Sequence, residues 1–187
     1  MEIEVKIAVE ALEPYEKKAE ALGYGVVHPF HFEANTLFDF PGRPLSVQGC
    51  LLRVRETPEG SLLTFKGRLV HHDRFKVRPE KETRCEDGVA LREILAGIGL
   101  RPFFRYEKYR KEMRAPAGGL LCLDLLPFGS YLELEGPGEA IEAMAAELGL
   151  NAAAFIRRSY ADLYGEYCRE RGLPFGDIVF PEGHGHP

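Results

Sequence analysis

Glu2-Ile3-Glu4-Val5-Lys6-Ile7 is the stretch from which the fold is read. Strict alternation gives this segment a strand period, with Ile3, Val5 and Ile7 on one face and two carboxylates and an ammonium on the other. A single edge strand with a solvated face would look the same. The pattern recurs, however, in nearly every segment with strand character. Arg53 and Arg55 alternate with Leu52 and Val54, and Thr64 and Lys66 with Leu63 and Phe65. Lys76, Arg78, Glu80, Glu82 and Arg84 share a face opposite Phe75 and Val77. Lys108, Arg110, Glu112 and Arg114 oppose Tyr109 and Met113, and Glu133 and Glu135 alternate with Leu132 and Leu134. Like charges two residues apart lie about 7 Å from each other along a strand, which is repulsive unless something of opposite charge sits between them. Carboxylate pairs call for cations and arginine pairs for polyanions.

Eight strands are expected, at about 1–9, 26–40, 50–57, 61–68, 73–85, 101–114, 119–126 and 130–135. Short links such as Pro58-Glu59-Gly60 and Pro116-Ala117-Gly118-Gly119 make the pairing largely antiparallel. Helices are expected from Pro14 to Leu22, Asp87 to Ile98 and Glu139 to Leu148, with a final one capped by Asn151 and running through Phe155, Tyr160, Leu163 and Tyr167. Their apolar stripes need a surface, and the apolar face of the sheet supplies it. Eight strands can close into a barrel. With the helices outside, its charges point inward: the fold class expected is α+β, an eight-stranded antiparallel β-barrel with a charged interior and amphipathic helices packed outside.

Composition bounds the reading. The 187 residues suit one domain, over 1–170, followed by a Pro- and Gly-containing tail at 171–187 whose last six residues are expected to be loose. A net charge of −5 with bases and acids interleaved argues against nucleic acid or a membrane surface as partner. No apolar run reaches spanning length and no signal-peptide pattern is visible, so a cytoplasmic protein is expected. Cys50, Cys85, Cys122 and Cys168 are widely spaced and read as reduced thiols. The His28/His31 and His184/His186 pairs are weak metal candidates.

The ordered series Glu2-x-Glu4-x-Lys6, Leu52-Arg53-Val54-Arg55, Leu63-Thr64-Phe65-Lys66-Gly67, Arg78-x-Glu80-x-Glu82, Lys108-x-Arg110, Asp124, Glu133-x-Glu135 and Arg158-Ser159-Tyr160-x-x-Leu163 resembles the CYTH family, the triphosphate tunnel metalloenzymes, over residues 1 to about 167. The resemblance implies a tunnel that binds a triphosphate-containing small molecule and Mg²⁺ or Mn²⁺, with a homodimer common among relatives. It places Glu2, Glu4, Glu133 and Glu135 in the metal-holding set, with Asp124 as a further ligand. Lys6, Arg53, Arg55, Lys66, Arg78, Lys108, Arg110 and Arg158 would grip phosphates. Glu4 and Lys6, with Glu80 and Glu82, would serve the chemistry, the latter two by binding a second metal, orienting bases or holding water. Lys76, Arg84, Glu112 and Arg114 read as rim charges, and Tyr160 as either a core hydrogen-bonding residue or a catalytic one.

The implied activity is hydrolysis of inorganic triphosphate or an organic triphosphate such as thiamine triphosphate; the alternatives are a class IV adenylyl cyclase and a non-catalytic polyphosphate or nucleotide binder. Lys66-Gly67, Lys76-Val77-Arg78-Pro79-Glu80 and Lys108-Tyr109-Arg110 resemble the cyclase subgroup. Some triphosphatases of the family pair the first-strand lysine with a second-strand tyrosine, and the second strand here offers Thr36, Leu37 and Phe38. A recognition pocket for an organic group would draw on Phe30, Phe32, Phe38 or Phe104, which serve equally well as core.

Overall fold

A computed structural model describes residues 1–181. The expectation of a loose end over the last six residues, and the His184/His186 pair, lie outside the described residues. Among the described residues nine antiparallel strands form one sheet in the order β5-β1-β9-β8-β7-β2-β3-β4-β6. They are β1 (Glu2–Val9), β2 (Gly25–Asp39), β3 (Leu51–Thr57), β4 (Gly60–Lys66), β5 (Lys76–Arg78), β6 (Glu80–Cys85), β7 (Arg101–Arg114), β8 (Leu120–Leu126) and β9 (Gly129–Glu135). The expected single strand over 73–85 is two, because Pro79 interrupts it. Proline has no N–H for the ladder and turns the chain. On one side of it β5 pairs with β1, through Glu2 opposite Arg78, and on the other β6 pairs with β4, through Lys66 opposite Glu80. The outermost strands of the sheet are thus joined by one residue, which closes the barrel through the chain.

Arg78 staples this seam. Its guanidinium donates to the carbonyls of Gly67 at 2.6 Å, Gly49 at 3.1 Å and Lys66 at 3.2 Å. Gly67 packs so tightly on Pro79 that an added Cβ would lie 3.3 Å from its ring.

The described residues form five helices, α1 (Glu13–Ala21), α2 (Pro44–Val47), α3 (Gly88–Gly97), α4 (Gly138–Leu148) and α5 (Tyr160–Arg171); α1, α3 and α4 pack on the outer face, whereas Tyr160, Ala161 and Asp162 of α5 line the cavity within. Ile141, Met144 and Leu148 of α4 and Ala19 of α1 cover Val5, Ile7, Leu121, Leu132 and Leu134 on the outer face. Leu91 and Leu95 of α3 cover Phe38 and Val54, and Leu163 of α5 packs with Leu37, Phe104, Leu126 and Ile178. Each fully buried aliphatic side chain is worth about 1.5–3 kcal/mol, so the apolar faces drive closure and turn the charges inward.

The last helix begins later than expected. Asn151 caps only the short 3-10 turn Ala152–Ala154, accepting from the Ala153 N–H. The chain then pairs Ile156 with Lys6 of β1, and α5 starts behind Ser159, whose reciprocal bonds with Asp162 form a capping box. Beyond α5, Ile178 exchanges backbone bonds with Arg105 and Glu107 at 2.9 and 2.7 Å. It covers the part of β7 that β8, which begins pairing at Tyr109, leaves bare. No helix among the described residues is long and apolar enough to cross a membrane.

Candidate functional site

The inner faces of β1, β3, β4, β5, β7 and β9 converge on a cavity of about 540 Å³. Glu4, Glu133 and Glu135 lie on neighbouring strands, since Glu4 is opposite Glu135 and Lys6 opposite Glu133 in the β1–β9 register. One carboxylate oxygen from each lies within 4.8 Å of the others, and among the described residues this is the one group of three or more acidic, histidine or cysteine ligands that converges so closely. Lys6 Nζ is 2.8 Å from Glu4 and 2.9 Å from Glu133, and Lys76 Nζ is 2.7 Å from Glu4. Arg110 reaches Glu133 and lies 3.6 Å from Glu135.

These contacts set the protonation states. Burial works to raise Glu4 and Glu133, but the ammonium of Lys6, joined by Lys76 at Glu4 and by Arg110 at Glu133, holds both well below the usual carboxylate range. Lys6 is held protonated: burial opposes its charge, and the two carboxylates more than offset it. Glu135 fares differently. Burial pushes it up to about 7, Arg110 offsets part of this, and Glu133, Glu4 and Glu2 repel its charge. Lys76 is drawn down by burial and by the neighbouring Lys6, with Glu4 opposing.

Opposite the acids stands a basic wall. Arg53, 5% exposed, lies 3.2 Å from the Tyr106 hydroxyl, 3.1 Å from Thr64 and 3.5 Å from Glu82. Lys66 bridges Glu2 and Glu80, and Arg55 is 3.2 Å from both Asn35 and Glu33. Arg53 Nε is buried without a hydrogen-bond partner. A hard divalent cation fits the acids, which offer only oxygen donors, and phosphate oxygens fit the donor-only wall.

Of the expected residues, Glu2, Glu4, Lys6, Arg53, Arg55, Lys66, Arg78, Lys108, Arg110, Glu133 and Glu135 line this cavity. Glu80 and Glu82 stand behind it, against Lys66 and Arg53. Asp124, expected as a metal ligand, has no exposed surface and is already saturated. It accepts both Nε and Nη2 of Arg110 at 2.6 Å, Lys108 Nζ at 3.0 Å and the Tyr160 hydroxyl at 2.7 Å. It is a counter-ion that aims two bases, and Tyr160 is the hydrogen-bonding floor residue. Arg158, expected on a phosphate, is exposed and paired with Glu166. The neighbouring Arg157 lines the cavity instead. Arg78 spends its donors on the seam carbonyls.

Sequence reading missed Glu33, Asn35 and Tyr106 and set Lys76 at the rim. The signal was available: Glu33 and Asn35 alternate with Phe32 and Ala34, and Tyr106 shares the face of Lys108 and Arg110. Glu33, 1% exposed, lies 3.5 Å from Lys108 and 3.4 Å from His31. With Arg55 it separates the main cavity from a second one of about 340 Å³ at the other end of the barrel, lined by His28, His31, Glu59 and Glu112. Phe30 lines that second cavity, Phe38 is in the core under α3 and Phe32 packs on Tyr109, which leaves Phe104 as the one expected aromatic at the main cavity.

The family model of the CYTH domain matches residues 1–160. The chain belongs to the CYTH family. No curated protein matches it in sequence. Among solved structures, a Vibrio parahaemolyticus protein described as an adenylate cyclase candidate is 23% identical with a TM-score of 0.75, covering 88% of this chain and 97% of its own. The PH1012 protein of Pyrococcus horikoshii is 25% identical with a TM-score of 0.71, covering 87% and 99%. A Hippeastrum protein, described as an adenylyl cyclase candidate with a dominant triphosphatase activity, is 17% identical with a TM-score of 0.61 over 99% and 100%. These likenesses reflect a common CYTH tunnel fold, a nearly closed antiparallel barrel with helices outside.

Proposed function

We propose that this CYTH chain is a divalent-cation-dependent triphosphatase that hydrolyses a phosphoanhydride of a triphosphate-bearing small molecule inside the tunnel. One observation carries the reading: three clustered carboxylates, Glu4, Glu133 and Glu135, face Lys6, Arg53, Arg55, Lys66, Lys76, Lys108 and Arg110 across a single cavity.

Glu4, Glu133 and Glu135, with Glu2 beside them, would hold Mg²⁺ or Mn²⁺. Bound there, such an ion would supply screening of the phosphate charge and Lewis-acid polarisation of the phosphoryl group. Arg53, Arg55 and Arg110 present forked donors that fix phosphate oxygens, and the lysines add compact charge where negative charge develops. Glu80 and Glu82 act through Lys66 and Arg53, holding them in place. Lys6, kept protonated by Glu133 and Glu4, stabilises charge and does not take a proton from water. That task falls to a carboxylate of the cavity that the cation leaves free.

Cyclisation of ATP is the second reading, favoured by an apolar portion of the cavity that suits an organic group. Hydrolysis comes first because the carboxylates able to activate a nucleophile lie in the charged portion, where terminal phosphates would sit. Asp162, the carboxylate lining the cavity beside the apolar residues, is engaged by Ser159.

The test is incubation of the chain with Mg²⁺ and, separately, Mn²⁺, offering inorganic triphosphate, ATP and thiamine triphosphate, with products resolved chromatographically. Orthophosphate release abolished in Glu133→Gln is the expected result. Cyclic AMP with diphosphate selects the second reading, and no product from any pair leaves a binding role.

A further inference from the structure

Lys76 and Lys6 end on the same atom. Both Nζ groups donate to Oε1 of Glu4, at 2.7 and 2.8 Å, on a carboxylate that is buried. Two ammonium groups that share one oxygen repel each other, and a site with little water screens the repulsion poorly. The two are not held alike. Lys6 is also 2.9 Å from Glu133 and lies 5.1 Å over the ring of Tyr160, so three groups fix it. Among the described residues Glu4 is the one side-chain partner of Lys76. The backbone of Lys76 is anchored opposite Glu4 in the β1–β5 register, while its ammonium ends a flexible four-carbon stem that lines the cavity. The anchor is rigid and the charge can move.

Glu4 belongs to the carboxylate cluster that a divalent cation fits. Without that cation the buried acids need positive charge, and Lys76 supplies part of it. With it, an ammonium on the same carboxylate is repelled, and the one held by a single contact leaves before Lys6. Glu2, the next carboxylate along this face of β1, is already held by Lys66. The counter-charge left within the cavity for Lys76 is the phosphate chain. We infer, on the cation-dependent triphosphate reading above, that Lys76 is an exchangeable tethered cation: it neutralises Glu4 in the cation-free tunnel and passes to a phosphate oxygen when a divalent cation takes Glu4. One side chain then serves both halves of the site in turn. Lys76 opposes binding of the bare cation, which must displace it, and strengthens binding of a triphosphate once the cation is in place. The tunnel thereby favours the cation–triphosphate pair over the cation alone.

The test is calorimetry near neutral pH with two probes, Mn²⁺ alone and imidotriphosphate in saturating Mn²⁺. Native protein is compared with Lys76→Met, which keeps an unbranched stem without charge, and with Lys76→Arg, which keeps the charge. Lys76→Met is expected to bind Mn²⁺ alone about tenfold tighter than native protein. In saturating Mn²⁺ the same variant is expected to bind imidotriphosphate about tenfold more weakly. Lys76→Arg is expected to return both affinities to within about threefold of native. The opposite signs are the signature: a damaged fold weakens both probes, and a residue that only grips phosphate leaves the affinity for Mn²⁺ alone unchanged. Lys76→Met protein that binds both probes more weakly, or either probe as native protein does, would overturn the inference and leave the cation and triphosphate site standing. Native protein that binds neither probe would overturn both.

Discussion

Replacing Glu135 by Gln should stabilise the metal-free protein in alkaline solution and leave it unchanged in acid. Glu135 titrates at 4.5 as an unperturbed group and is raised to about 7 in the fold, by burial and by Glu133, Glu4 and Glu2 against the pull of Arg110. The folded state therefore binds this proton more tightly than the unfolded chain does. Below pH 4.5 the carboxyl is neutral in both states and nothing is lost. Between 4.5 and about 7 the unfolded chain releases the proton first, so stability falls as pH rises, and above about 7 the full cost remains. A difference of about 2.5 pH units corresponds to about 3 kcal/mol. The side chain is 27% exposed to the cavity, so solvent screening trims this to roughly half. For a chain of this length about 1.5 kcal/mol moves Tm by roughly 3–6 °C. The assay is thermal unfolding of native and Glu135→Gln protein in EDTA, from pH 4 to pH 9. An increase in Tm that opens between pH 4.5 and 7 and then levels off is expected, and adding Mn²⁺ should reverse it by stabilising the native chain alone. A variant no more stable than native at pH 9, or equally stabilised at pH 4, would refute the electrostatic reasoning.

Asp124→Asn leaves Arg110 and Lys108 buried beside a weakened partner and should cost about 3–5 kcal/mol in denaturant unfolding, while Mn²⁺ affinity of the folded fraction stays within about threefold. Tyr160→Phe removes one bond to that carboxylate and should cost about 1–3 kcal/mol in the same measurement. Arg78→Ala frees the carbonyls of the barrel seam and should destabilise the fold by a few kcal/mol, whereas Arg158→Ala should change imidotriphosphate affinity by less than about twofold, both checked by unfolding and calorimetry on the same preparations.

The barrel was legible because the charged and apolar faces alternate in nearly every strand, a period-two signal that survives without any knowledge of pairing. What alternation could not show is how far each charge stands from the cavity. Asp124 and Glu133 look alike in sequence, yet one is sealed by Arg110, Lys108 and Tyr160 and the other opens on the tunnel. Arg157 takes the place at the cavity expected of Arg158 because the chain runs extended through Ile156 to pair with Lys6 before α5 begins. Lys76 looks like a rim charge in sequence because strand ends usually are solvated; pairing of β5 to β1 brings it to Glu4. Pro79 signalled the division of the 73–85 strand, and its effect on closure depended on partners far away in the chain.

In the proposed function, Glu4, Glu133 and Glu135 hold a divalent cation against a triphosphate gripped by the basic wall. The most direct test is anomalous diffraction from crystals grown with Mn²⁺ and imidotriphosphate. A manganese peak is expected about 2 Å from oxygens of those three carboxylates and of the phosphate chain, with phosphate oxygens on Arg53 and Lys66. A cavity without manganese, or an ion bound at the His28 and His31 end of the barrel, would contradict it.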